Sequence, residues 1–107
     1  MSNCIAERKL YYTTNANSER KEVVVRIGQP YIVKSGTVNF PVDEYTAGCS
    51  IEVVGLPEEF SETTYGADLV QALQLATNID PILKRLSKKY MFYFVSGEPY
   101  FEEENEG

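Results

Sequence analysis

Residues 64–90, TYGADLVQALQLATNIDPILKRLSKKY, decide the fold. Placed at about 100° per residue, Leu69, Ala72, Leu73 and Ala76 share one face, and Ile79, Ile82, Leu83 and Leu86 share a second face displaced from the first. Between the halves stand Asn78, Asp80 and Pro81, and a proline inside a helix removes a backbone donor at a cost of roughly 3 kcal/mol. Asp80 as N-cap with Pro81 at the first helical position is a start signal for a second piece. The spacing therefore predicts one kinked helix or two consecutive helices, with Leu73 in the central contact. Lys84, Arg85, Lys88 and Lys89 crowd the C-terminal end, where the helix dipole favours cations.

On both sides of this stretch the pattern changes from helical spacing to alternation. In Cys4 to Thr13 the residues Cys4, Ala6, Leu10 and Tyr12 fall on one face, with Arg8 turned inward among them, which reads as a half-buried strand. A polar loop, Asn15 to Lys21, leads to a second strand from Glu22 to Ile27 with Val23, Val25 and Ile27 inward. Gly28, Gln29 and Pro30 break it, and Tyr31 to Val33 resumes an extended path. Val38, Phe40 and Val42 alternate as a third strand. Ala47 to Leu56 forms a fourth, with Ala47, Cys49, Ile51 and Val53 facing one way. Glu58 to Thr64 reads as an acidic loop entering the helix. Met91 to Val95 is a dense apolar strand, and Tyr100 and Phe101 add a short pairing segment.

Strands and helix are thus segregated in the order βββ βαβ, which predicts an α+β fold: an antiparallel sheet of four to six strands covered on one face. A chain of 107 residues with 43% hydrophobic and 24% charged content is one ordinary domain. Residues 1–101 form that domain, and Glu102 to Gly107 read as a mobile acidic tail. The chain has no long apolar run and no secretory leader, so the expected location is cytoplasmic and no membrane contact is implied. Cys4 and Cys49, without metal-ligand spacing, read as reduced, buried thiols.

The net charge of −6 is unevenly distributed. Residues 43–80 hold eight acidic side chains and no basic one. Such a balance argues against nucleic-acid binding, which requires a basic footprint, and leaves a basic protein partner open. The absence of histidine removes the usual general base and the commonest metal ligand. No phosphate-cradling loop is present, and neither a metal nor a cofactor is implied. Glu58, Glu59, Glu62 and Asp68 are the densest carboxylates, in no spacing that matches a metal loop. Tyr11, Tyr31, Tyr45, Tyr65 and Tyr100 stand in or near predicted loops or on outward sides of strands, and tyrosine is enriched at protein interfaces.

The IGQPY of residues 27–31 and the YGADLVQALQLA of residues 65–76 resemble a group of small bacterial domains of unknown function. These carry a G-Q-P turn followed by a Y-G-x-D-x-x-Q-A-L-x-L-A helix start. The resemblance implies a bacterial, cytoplasmic α+β protein and no particular reaction. It directs attention to Gln29, Tyr65, Gly66, Asp68 and Gln71; this chain has Leu69 where such domains carry a small polar residue. With Tyr31 added from the aromatic reading, the candidate binding residues are Gln29, Tyr31, Tyr65, Asp68 and Gln71, and no residue is assigned as catalytic. The leading expectation is a non-enzymatic protein-binding or interaction module, with a homodimer through a sheet edge or tyrosine-rich face as one form. The alternatives are an immunity-type protein neutralising a basic toxin, and a small carboxylate-dependent enzyme using Asp68 or Glu62 with a tyrosine.

Overall fold

The chain's structure, a computed structural model, describes residues 3–101, so the tail expected at Glu102 to Gly107 lies outside the described residues. Alternation builds the sheet as the spacing requires. Strand β1 (Cys4–Thr14) pairs antiparallel with β2 (Lys21–Gly28), placing Leu10 opposite Val23 and Arg8 opposite Val25. Strand β3 is only Tyr31–Ile32, and β4 spans Ala47–Val54. Along one side of β4 lie β2, opposite Ile51 to Val54, and β3, opposite Ala47 and Gly48. Gly28, Gln29 and Pro30 thus interrupt what is otherwise one continuous edge for β4.

Strand β5 (Phe60–Gly66) takes the other side of β4, and β6 (Tyr90–Tyr93) pairs with β1. The result is a six-stranded antiparallel sheet. The strand expected at Val38 to Val42 does not form; that stretch is an irregular loop. Pro41 lacks the donor a ladder would need, and Gly36, at φ 89°, turns the chain just before it. The stretch expected as a loop from Glu58 is instead β5 from Phe60 onward.

Helices α1 (Leu69–Thr77) and α2 (Asp80–Leu86) cover one face and meet at a 39° bend. Asp80 is already helical in α2, and the cap position falls to Ile79. The Asp80 carboxylate is drawn elsewhere, accepting the hydroxyl proton of Tyr100. The sheet offers the helices Leu10, Val23, Val25, Cys49 and Ile51, all buried. From α1 the fully buried residues are Ala72 and Ala76, while Leu73 is only partly buried on the flank. The centre of the contact is therefore two alanines, because α1 lies too close to the sheet for larger side chains. Gly66 fixes that distance: a Cβ there would stand 2.6 Å from the backbone nitrogen of Ala72. From α2, Ile82 and Leu83 complete the core.

Arg8 does face the helical side, as alternation requires, yet it stays exposed. It lies beside the bend between the helices, lining an open groove with Thr77 and Ile79, where its guanidinium donates to the Tyr100 hydroxyl. Cys4 is likewise exposed, contrary to the reading of two buried thiols, because β1 runs past the core at its start; Cys49 is buried, and both are free. At the other end Tyr93 bridges to Pro99, and the Tyr100 amide donates to the Phe92 carbonyl, giving the short terminal pairing segment. Among the described residues, no helix is long and apolar enough to cross a membrane.

Candidate functional site

Both helices occupy the face carrying Cys49, Ile51 and Val53, so the face carrying Gly48, Ser50 and Glu52 has no helical layer. Register builds two zones on it. Near the end of the sheet, Tyr31 of β3, Gly48 of β4 and Tyr65 of β5 stand directly opposite one another across three strands. The ring of Tyr31 lies across Gly48, so that a Cβ at position 48 would be 2.8 Å from both Cζ and Oη of the tyrosine. Only glycine lets a tyrosine on β3 reach over β4 toward β5 in this way. From the loop after β3, Phe40 meets Tyr65 edge-on, with ring centroids 5.1 Å apart. Tyr31, Tyr65 and Phe40 remain 43%, 39% and 38% exposed. Burial pushes the Tyr31 phenol above its ordinary value, the neighbouring Tyr65 phenol adds to the rise, and the Thr63 hydroxyl opposes it. Tyr31 is thus protonated at neutral pH and able to donate a hydrogen bond.

The second zone is a charged row. Glu7, Arg26, Glu52 and Ser61 are successive partners across β1, β2, β4 and β5, and Arg26 Nε lies 3.6 Å from Glu7 Oε2. A neighbouring ion pair joins Lys9 to Glu22 at 3.1 Å. Beside this row an open cleft of about 610 Å³ follows the β4–β5 hairpin, lined by Arg26, Glu52, Glu59, Ser61 and Thr63 among others.

The other sequence-derived candidates have local structural duties. Asp68 caps α1, its Oδ1 accepting from the Gln71 amide at 2.8 Å, while Gln71 Oε1 accepts from the Ala67 amide. This reciprocal arrangement satisfies amides left open at a helix start. Gln29 lies at the break between β2 and β3, where its amide donates to the Asn3 carbonyl. The structure therefore brings Tyr31 and Tyr65 together, pairs Asp68 with Gln71 in a cap, and leaves Gln29 apart from both. Gly48 and Phe40, which complete the aromatic zone, carry no signal in the sequence. A lone glycine in a strand reads as a bulge, and the neighbours of Phe40 read as a strand of their own.

The acidic segment is largely engaged within the fold. Arg85 of α2 donates to both Glu62 oxygens at 3.0 and 3.1 Å. Lys89 and the Tyr90 hydroxyl both donate to Glu58 Oε1, which holds that carboxyl below its usual value. Asp43 closes the turn before β4 by accepting from the Tyr45 and Thr46 amides, and this lowers its own value. With Asp68 in the cap and Asp80 on Tyr100, Glu44, Glu52 and Glu59 remain free of such partners among the described residues. The basic helix end and the acidic segment, far apart in charge along the sequence, fold onto each other. Among the described residues, no group of three His, Cys, Asp or Glu side chains is placed to hold a metal ion.

Compared with known proteins, the chain matches no family model, no curated protein and no solved structure.

Proposed function

We propose that this chain is a non-enzymatic protein-binding module whose contact surface is the aromatic end of the open sheet face. The observation that carries this reading is the aligned row Tyr31–Gly48–Tyr65 with Phe40 packed against it. Two tyrosine rings on the sheet, with the loop's Phe40 packed edge-on against one of them, offer large contact area at small entropic cost, each ring having only two side-chain torsions to fix. The phenols also supply hydrogen-bonding groups beside apolar surface, the mixture found at protein interfaces. Glu52 and Glu59, free along the adjoining cleft, add negative charge beside that aromatic end. A partner with an apolar centre and a basic rim fits both zones.

The disposition of carboxylates favours this over the two other expectations. Glu62 and Asp68, the residues an enzyme would use, are held by Arg85 and by a helix cap. An immunity-type protein relying on the acidic segment would have, among the described residues, only Glu44, Glu52 and Glu59 unengaged of its eight carboxylates. Glu58 and Glu62 are paired with Lys89 and Arg85, and Asp43, Asp68 and Asp80 are held in a turn, a cap and a bond to Tyr100. The test is recovery of a partner from a bacterial lysate by wild-type chain and by the Tyr31→Ala, Tyr65→Ala double variant. A protein retained by the wild type and lost with the double variant, at unchanged circular dichroism, supports the reading. Equal recovery by both, or none above background, overturns it.

A further inference from the structure

The two edges of the sheet are finished differently. At β6 the outer edge is closed by the chain itself, through the Tyr93–Pro99 bridge and the bond from the Tyr100 amide to the Phe92 carbonyl. At β5 pairing with β4 runs from Phe60 to Gly66 without a register shift, and among the described residues no backbone hydrogen bond satisfies its other side. Exposed edges are ordinarily blunted by lysine, proline or a bulge. The sequence FSETTYG contains neither lysine nor proline, and the strand carries no bulge. Its one charge, Glu62, points to the helical side, a placement that can blunt an edge, but it is paired with Arg85 at 3.0 Å.

We infer that β5 is the site of self-association, two copies pairing antiparallel about a two-fold axis at Thr63 to make one continuous sheet. A second copy is the occupant that fits. Chains of net charge −6 repel each other, and they can meet most closely along a strand whose one charge is already paired. Only a register centred on Thr63 pairs all seven residues of the strand, and it sets Glu62 against Thr64 and Ser61 against Tyr65, with no like charges opposed. Such an axis, normal to the sheet, keeps both helical layers on the same side. Leu75, 47% exposed, lines a groove of about 330 Å³ with Glu62, Thr64 and Pro81 at this flank, where its counterpart would approach. The inference is independent of the binding role given to the open face, since it concerns the backbone edge.

The experiment is sedimentation velocity on the full chain over a concentration series, with Thr63→Lys, Thr63→Glu and an equal mixture of the two. The wild type should dimerise. Each single variant places like charges across the axis and should dimerise about tenfold more weakly, a change of about 1.4 kcal/mol. The mixture should recover dimer, because lysine then faces glutamate, and such recovery also shows that both variants are folded. A wild type that stays monomeric throughout, or variants that dimerise as well alone as mixed, would overturn the inference.

Discussion

The ring of Tyr31 lies across Gly48, its Cζ and Oη 2.8 Å from where a Cβ at that position would stand. The far end of a tyrosine can swing aside, so Gly48→Ala should keep the fold and stay within about 1 kcal/mol of wild type in denaturant unfolding. What should change is the phenol. Displaced from its partly buried position, Tyr31 should titrate closer to an ordinary tyrosine, read by ultraviolet absorbance against a Tyr31→Phe control. An unchanged titration would mean that the ring does not depend on the glycine.

Gly66 presents the opposite case, because the atoms nearest an added Cβ include the backbone nitrogen of Ala72 at 2.6 Å and the backbone carbon of Gln71 at 2.9 Å. Neither yields without moving α1. Gly66→Ala should cost about 1 to 3 kcal/mol as overpacking does, clearly more than Gly48→Ala. Parallel chemical denaturation of the two variants makes the comparison.

Burial ranks the helix leucines. Leu83 is fully buried, and Leu83→Ala should cost about 2 to 5 kcal/mol through lost burial and a residual cavity. Leu73, on the flank, should lose only about 1 to 2 kcal/mol on truncation. A larger loss at position 73 than at 83 would contradict the packing of Ala72 and Ala76 at the centre.

Most of this architecture is legible in the sequence where one face of an element is apolar and the other polar. Val23, Val25 and Ile27, or Cys49, Ile51 and Val53, announce their strands because the sheet has one covered face. Pro81 announces the helix break. Strand β5 escapes this logic. Its helix-facing positions are Phe60, Glu62, Thr64 and Gly66. Only Phe60, at the strand's start, packs apolar surface on the core, while Glu62 pairs with Arg85 and Thr64 donates toward the Ala72 carbonyl at 3.0 Å. Gly66 leaves room for α1. A strand that meets its helix through a glycine, a hydroxyl and an ion pair has no hydrophobic period to read. Val38, Phe40 and Val42 show the converse, alternating in a loop because Phe40 packs on Tyr65 rather than into a ladder. The aromatic site was legible only as separate tyrosines, since its coherence comes from the registers of β3 and β5 on β4.

The pH response follows from three phenols. Burial is the first cause raising Tyr31, Tyr90 and Tyr100, with Glu58 adding at Tyr90 and Asp80 at Tyr100. A phenol raised in the folded state keeps its proton longer there than in the unfolded chain. Its contribution is therefore intact below the unfolded value of about 10 and is lost as pH climbs through the folded one. Thermal midpoints should fall above about pH 10, and the fall should be shallower in Tyr90→Phe. A flat profile through that range would contradict the burial of these groups.

The account's central claim is that the aromatic end of the open face is a contact surface, and hydroxyl-radical footprinting of the chain with a partner recovered as above tests it most directly. Tyr31, Tyr65 and Phe40 should all be protected in the complex, while Val70 on α1, 64% exposed, should stay as reactive as in the free chain. Protection of Val70 with undiminished labelling of Tyr31 and Tyr65 would place the contact on the helical side and contradict the claim.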